Sequence, residues 1–228
     1  NQWSIGKSWH AVSTIVADTA PNSNDDYGDW ILIGASNDRN NSSTEKGISF
    51  VPEGADNNEI VHYIRAKSEG LKSLKVLDAR FCQQQASQQR TTGHDVLIEN
   101  AIEQTDKLLQ TLQSLSDLSL DRYVVVSEFG ELIKKGNEVN LSVAPLIGLA
   151  KTAMTERPNL NITLMDLDRN ERSWPEIIKV LSRLDQEQEI AVREDEVFCL
   201  RLVPEKMTLP ELPDISRPAT EVAAYEMR

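Results

Sequence analysis

The sequence predicts an α/β fold, Rossmann-like, with a mostly parallel sheet and helices on both of its faces. Short runs of Val, Ile and Leu lack the polar alternation of half-exposed strands, which is typical of strands covered on both sides. Amphipathic stretches that begin at helix-capping residues separate these runs. The chain has 228 residues, of which 39% are hydrophobic. That length and composition suit one packed domain of this class.

Buried strands are predicted wherever an apolar run ends at a turn residue. Gly34 ends the first run and Pro52 ends the second. The last two runs flank the acidic triplet Glu194–Glu196, which predicts a closing hairpin. In chain order the predicted strands are Trp30–Ile33, Ile48–Val51, Val76–Cys82, Tyr123–Ser127, Ile162–Leu167, Ile190–Arg193 and Val197–Val203.

Helices are predicted between these strands. Asp56 with Glu59, and Ser173 with Glu176, have the spacing of capping boxes. A long helix has an apolar face at helical spacing that we expect to be buried, formed by Ile98, Ile102, Thr105, Leu108, Leu109, Leu112 and Leu115. Another helix is expected to start at Ser142 and to pack on the sheet through Leu146, Leu149, Ala150 and Ala153. The four predicted helices are Asn57–Ser68, Asp95–Leu115, Ser142–Arg157 and the segment from Ser173 to Leu184.

The domain organisation follows from proline content. Residues 1–203 carry the predicted strands and helices. From Pro204 to Thr220 four prolines occur with little periodicity. We therefore expect residues 204–228 to form an extended exit linker.

Charge and cysteine content exclude several classes of protein. The 24 Lys and Arg residues against 36 Asp and Glu residues give a net charge of −12, which would repel nucleic acid and anionic membranes. No apolar run reaches the length of a membrane helix, and Asn1–His10 lacks a signal pattern. Cys82 and Cys199 are too few for a disulfide framework. A reduced, cytoplasmic protein is expected.

A dinucleotide site would require closely spaced glycines after the first strand, so that backbone N–H groups can approach a pyrophosphate. Here the first strand runs into Gly34-Ala35-Ser36-Asn37-Asp38, with one glycine where three are needed. The chain contains neither G-x-G-x-x-G nor a P-loop. We therefore predict that it binds neither NADPH nor NADH.

Tyr63 and Lys67 have the spacing of the acid pair of short-chain reductases, with Ser49 upstream. Only about sixty residues precede Tyr63, which is too few for the cofactor-binding half of that fold. One helical turn also separates a packed tyrosine from a solvated lysine on an ordinary amphipathic helix. We predict no catalytic role for these residues.

The remaining chemical candidates are interpreted as structural. His10, His62 and His94 form no metal-binding motif. Asp166 and Asp168 flank Leu167 at a strand end, where carboxylates can bind metals or sugar hydroxyls, but capping of the next loop through Asx turns is favoured. Cys199, in a predicted strand, is expected in the core, whereas Cys82 ends a strand and could lie near the surface, and both are interpreted as structural. The sequence thus assigns no catalytic, cofactor-binding or metal-binding residue.

The segment Val143–Asp168 reads VAPLIGLAKTAMTERPNLNITLMDLD and carries a combination of motifs. It resembles the PLWGLGR-like helix, the proline stop and the DLD-like strand end of the ketoreductase region of polyketide synthases and animal-type fatty acid synthases. Ile147 replaces the usual tryptophan, and no histidine precedes Pro158. Downstream, Asp185–Arg193 and Arg201-Leu202 resemble that region's E-x-E-x-A-x-R segment and closing hairpin. More narrowly, the chain resembles the non-catalytic half of the region.

This resemblance implies a fold that is truncated relative to a short-chain reductase. It also implies that the chain is not an enzyme by itself and supports a catalytic half that follows in the same polypeptide. NADPH, phosphopantetheine and the acyl carrier protein would then belong to the parent synthase. Val222–Arg228 resembles the lead-in to an enoylreductase domain, which implies a second neighbour. A docking patch is expected near the first strands and Trp3–Val16.

Two alternatives remain open at this stage. The chain could be a small active NAD(P)-dependent oxidoreductase or transferase with a degenerate cofactor loop, which cofactor binding would reveal. It could also be a free-standing interaction module, which the flanking reading frame would reveal.

Overall fold

The computed structural model describes residues 3–14, 28–34, 47–71, 73–82, 94–134, 139–168 and 172–206. In chain order the elements are β1 Trp3–Thr14, β2 Asp29–Ile33, β3 Ile48–Phe50, α1 Asn57–Ser68, β4 Leu74–Asp78, α2 His94–Ser114, β5 Arg122–Glu128, α3 Ala144–Glu156, β6 Ile162–Leu167, α4 Trp174–Arg183, β7 Glu189–Arg193 and β8 Glu196–Lys206. Short 3₁₀ turns at Leu141–Val143 and Pro158–Leu160 flank α3. Within these ranges, no helix is both long and apolar enough to cross a membrane.

The sheet is mostly parallel, as the sequence predicts. Its strand order is β1-β8-β7-β6-β5-β4-β2-β3. The pairs from β3 through to β7 are parallel, and β8 pairs with β7 in antiparallel fashion as the predicted hairpin. Chain order reverses beside β2, since β3 lies on one side of it and β4 on the other. In such sheets ligands bind at the carboxyl ends of the strands where the order reverses.

Two hydrophobic clusters lie on opposite faces of the sheet, because successive strand side chains alternate in direction. Ile31 and Ile33 of β2 face the cluster that α1, α2 and α3 cover. Trp30 and Leu32 face the cluster that α4 covers, where Trp174 is fully buried. The prediction of helices on both faces is therefore confirmed.

The chain divides into two compact units, which are residues 9–200 and residues 1–8 with 201–228. Of the second unit, the structure describes residues 3–8 of β1 and residues 201–206 of β8. β1 was not predicted as a strand, although Trp3, Ile5, Trp9 and Ala11 recur at even spacing. β8 continues through Pro204 to Lys206, so the predicted linker does not begin at Pro204. The rest of that linker prediction lies outside the described residues.

Two predicted boundaries are wrong for local reasons. The strand expected over Val76–Cys82 ends at Asp78, because the chain turns there and Cys82 N–H donates to the carbonyl of Ala79. Ser142 does not cap α3. Instead Asn140 accepts the N–H of Ser142 at 3.1 Å and starts the 3₁₀ turn that precedes α3. Both predicted capping boxes are present at α1 and α4.

The buried face of α2 differs from the predicted one. Ile98, Ile102 and Leu109 were expected in the core but are 49%, 64% and 38% exposed. Leu108, Leu112 and Leu115 are buried as expected, and the polar side chains of Gln104 and Thr111 are buried beside them. On α3 the expected face is buried except for Leu149, which is only partly buried against the core.

Candidate functional site

A crevice lies at the carboxyl ends of β2 and β3, where the strand order reverses. Its volume is about 530 Å³. Gly34 follows β2, Val51 and Pro52 follow β3, and the first residues of α1 complete one side. Arg80 and Phe81, after β4, and the polar side of α2 form the other side. This is the position at which a nucleotide would bind in a fold of this class.

Gly34 makes the turn at the end of β2 with φ of +69°, a conformation that favours glycine. A Cβ at this position would lie 2.7–2.8 Å from the backbone and Cγ of Arg80. The N–H of Ala79 also donates to the carbonyl of Ile33 at 2.9 Å. The space beside Gly34, which a glycine leaves open to a ligand in a nucleotide site, is therefore filled by the backbone of Arg80.

Arg80 is held in the crevice by a buried network. Its Nε and Nη2 donate to the two carboxylate oxygens of Asp78 at 2.8 and 2.6 Å. Further bonds run from Arg80 to Asn57 and Thr111, and the Tyr123 hydroxyl donates to Asp78 at 2.8 Å. Burial lowers the pKa of Arg80, but the charge of Asp78 and its hydrogen bonds raise it more. Burial, followed by the charge of Asp78, raises the pKa of Tyr123 well above its ordinary value.

The N-terminus of α1, which borders the crevice, is already capped. Asp56 accepts the N–H groups of Asn58 and Glu59 at 2.8 and 2.9 Å, and Glu59 accepts the N–H of Asp56 at 2.8 Å. These carboxylates occupy donors that would bind a phosphate in a nucleotide site. The crevice walls also carry more acidic than basic side chains, which are Glu53, Asp56, Glu103 and Asp106 against Arg80 and Lys107.

The carboxylate of Asp166, in β6, is saturated by protein donors. It accepts hydrogen bonds from the Ser127 hydroxyl at 2.6 Å, from Gly130 N–H at 2.8 Å and from Glu131 N–H at 3.1 Å. It also forms an ion pair with Arg193, and both side chains are 4% exposed. These bonds lead to distant elements, so the Asx-turn interpretation is wrong in detail although the structural role is supported.

Asp168 is likewise engaged. It forms an ion pair with Arg172, and the N–H of Glu194 in the β7–β8 turn donates to it. The described ranges contain no group of three His, Cys, Asp or Glu side chains that could hold a metal ion.

Tyr63 and Lys67 lie one turn apart on α1, with the Lys67 Nζ 5.7 Å from the centre of the tyrosine ring. Lys67 is exposed and Tyr63 is partly buried. Ser49 lies on β3, and none of the three lines the crevice. The reductase-like spacing therefore does not correspond to an assembled site there.

The cysteines and histidines are dispersed. Cys82 and Cys199 are both buried, which was expected for Cys199 but not for Cys82. His10 and His62 are exposed on β1 and α1, and His94 is the first residue of α2. The positions described for these cysteines and histidines do not suggest a nucleophilic site or a metal site.

An apolar groove runs along α2 beside the start of α3. Its volume is about 610 Å³. Leu141, in the 3₁₀ turn, is 76% exposed and lines the groove with Ile98, Ile102 and Leu109. We expected such a patch near Trp3–Val16. Among the described residues, exposed apolar side chains lie on α2 and also at Val12 of β1. The side chains of residues 3–5 and 13–16 lie outside the described residues, so the expected patch stays a prediction.

The sequence did not identify Arg80 or Gln104 as functional candidates. Arg80 lies within the predicted strand Val76–Cys82 and was therefore not considered, although it follows Asp78 at a spacing suited to a local ion pair. Gln104 lies four residues before Leu108 on α2, and that spacing is the signal that places it on the buried face.

Comparison with known proteins shows which protein family the chain matches. Residues 29–202 match a family model described as the Rossmann fold domain of the polyketide synthase extender module SpnB. A search of curated proteins found no match.

Solved structures of ketoreductases share the fold. An A1-type ketoreductase is 17% identical with a TM-score of 0.59, and an A-type ketoreductase from a modular polyketide synthase is 15% identical with a TM-score of 0.57. In each case the match covers 91% of this chain but only 43% of the ketoreductase chain. A multidomain NRPS module containing adenylation, ketoreductase and pseudo-Asub parts matches at 14% identity and a TM-score of 0.61, with 89% of this chain and 19% of that chain covered.

Proposed function

The chain belongs to the family of the Rossmann fold domain of polyketide synthase extender module SpnB, and from that premise we propose that it is the structural, non-catalytic half of a ketoreductase region. It would support a separate NADPH-dependent half that reduces β-ketoacyl groups on an acyl carrier protein. The crevice geometry at Gly34 carries this proposal.

Three features of the crevice argue against a bound dinucleotide. The backbone of Arg80 occupies the close approach at Gly34. The α1 N-terminus is capped by its own carboxylates. The acidic walls would repel a pyrophosphate. A sheet retained for packing does not require a free phosphate turn, so these features are compatible with a supporting role.

We expect the chain to show no saturable binding of NADPH. The measurement is isothermal titration at cofactor concentrations up to about millimolar, where Kd values typical of working cofactor sites would be evident. A ketoreductase with an intact glycine-rich loop is the positive control. Saturable micromolar binding would contradict the structural role and favour the small-oxidoreductase alternative.

The apolar groove is the surface that we assign to the catalytic half. The matched ketoreductase chains have more than half of their length outside the region that this chain covers. A partner of that size is therefore available in proteins of this kind. The groove residues carry one charged side chain, Asp106, in a protein of net charge −12. Exposed apolar patches of this kind mark protein interfaces.

We expect Ile102→Glu to weaken binding of the separately expressed catalytic half by at least about tenfold, because it places a charge among the apolar side chains that line the groove. Leu132→Glu is the matched control, since Leu132 is 58% exposed and does not line the groove. Size exclusion and titration of the two halves provide the measurement. Equal affinities for both variants, or a catalytic half that forms no complex with the wild-type chain, would overturn this assignment.

The neighbouring domains extend the proposal. Val222–Arg228 resembles the lead-in to an enoylreductase, so we place such a domain after this chain and an acyl carrier protein in the same synthase. Sequencing of the flanking reading frame tests this arrangement, and a reading frame without reductase domains would favour a free-standing interaction module.

A further inference from the structure

Gln104 is a buried polar residue that the argument for the supporting function does not use. It lies on α2, is 2% exposed and lines the crevice. Neither its amide nitrogen nor its amide oxygen has a hydrogen-bond partner among the described residues. Because folded proteins satisfy most buried polar side-chain atoms, an unpartnered buried amide points to a group that is missing from the crevice.

The chemistry of that group follows from the amide itself. A glutamine side chain presents an N–H donor and a carbonyl acceptor next to each other. A second amide, with its own adjacent N–H and carbonyl, satisfies both at once. The crevice around Gln104 also includes apolar side chains suited to an apolar body, which are Ile33, Val51, Ile60 and Phe81.

The charged side chains of the crevice further restrict the class of ligand that it can bind. The two basic side chains of the crevice are engaged, since Lys107 is paired with Glu103 at 2.6 Å and Arg80 is paired with Asp78. The acidic residues Glu53, Asp56 and Asp106 also line the crevice. An anionic ligand would meet net repulsion there, whereas an uncharged ligand would not.

We infer that the crevice binds a small, uncharged ligand that carries an amide on an apolar body, and that Gln104 pairs with that amide. This site adjoins the groove assigned to the catalytic half, since Asp106 lines both, but Gln104 does not line the groove and Ile102 does not line the crevice. It requires no phosphate turn, so it is compatible with the network at Arg80.

Benzamide is the probe, because its ring is apolar and its amide can pair with Gln104. Benzoate has the same shape with a negative charge, and acetophenone has the carbonyl without the N–H. In ¹⁵N-resolved NMR titrations, we expect benzamide to shift the side-chain amide resonances of Gln104 saturably. Benzoate and acetophenone should bind at least about tenfold more weakly, since a site built to pair with an N–H group discriminates against analogues that lack it.

Gln104→Leu tests the residue, and Gln110→Leu is its control. Gln110 also lines the crevice, but it is exposed and already donates to Asp106 at 2.7 Å. We expect Gln104→Leu to abolish the preference for benzamide over acetophenone while its melting temperature stays equal or rises, because it removes an unpartnered buried amide. Gln110→Leu should keep the preference.

Three results would overturn the site. They are the absence of saturable benzamide shifts in the wild-type chain, an unchanged preference in Gln104→Leu, or a fall in the melting temperature of that variant. The comparison of the three probes uses the wild-type chain, so it tests the site even if a variant does not fold. None of these outcomes bears on binding of the catalytic half through Ile102, so the two proposals fail separately.

Discussion

Asp166→Ala should lower the free energy of unfolding by about 3–5 kcal/mol, because it leaves the buried guanidinium of Arg193 without its carboxylate. The same change removes the acceptor for the Ser127 hydroxyl and for two backbone N–H groups of the loop after β5. Unpaired buried donors add to the cost. Chemical denaturation with urea, analysed for both midpoint and slope, measures the change.

The control for this variant is Asp117→Ala. Asp117 also pairs with an arginine, Arg65, but its side chain is 64% exposed. Solvent-exposed ion pairs contribute little to stability, so this variant should change the urea midpoint much less. Equal effects of the two variants would contradict the role of the Asp166 network.

Asp78→Asn should cost about 3 kcal/mol, since it removes the charge that Arg80 neutralises inside the protein. We expect a smaller loss than for Asp166→Ala, because the Arg80 side chain is 14% exposed and retains its bonds to Asn57 and Thr111. Thermal and urea melts of the purified variant provide the measurement.

Tyr123→Phe is the matched change in the same network. It deletes only the hydroxyl that donates to Asp78, so a loss of about 1 kcal/mol is expected. An Asp78→Asn cost no greater than that of Tyr123→Phe would show that Arg80 does not depend on the carboxylate.

Much of the fold could be predicted from the sequence. The strands over Tyr123–Ser127 and Ile162–Leu167 were found because central parallel strands are apolar on both faces, and the structure extends the first by only one residue at each end. The strand predicted over Val76–Cys82 extends beyond the end of β4, because Ala79, Phe81 and Cys82 are apolar and buried although they lie outside the strand. Apolarity predicts burial more directly than it predicts strand geometry.

The candidate surfaces were harder to predict. Periodicity identified Ile98, Ile102 and Leu109 as one face of α2, but it cannot distinguish a face that packs on the core from one that awaits a partner. Gln104 was missed for the converse reason, because a polar residue on a buried face breaks the pattern that is searched for. The crevice network was missed because Asp78 and Tyr123 meet only through the pairing of β4 with β5.

The close packing of Arg80 on Gly34 also bears on how this chain could evolve. Adding glycines after Gly34 would leave the backbone of Arg80 packed against Gly34, and replacing Arg80 alone would leave the fully buried Asp78 without its counter-ion. Each single step towards a nucleotide site therefore either gains nothing or destabilises the fold. A nucleotide site at this position would therefore require concerted changes in the turn at Gly34 and in the Asp78–Arg80 ion pair.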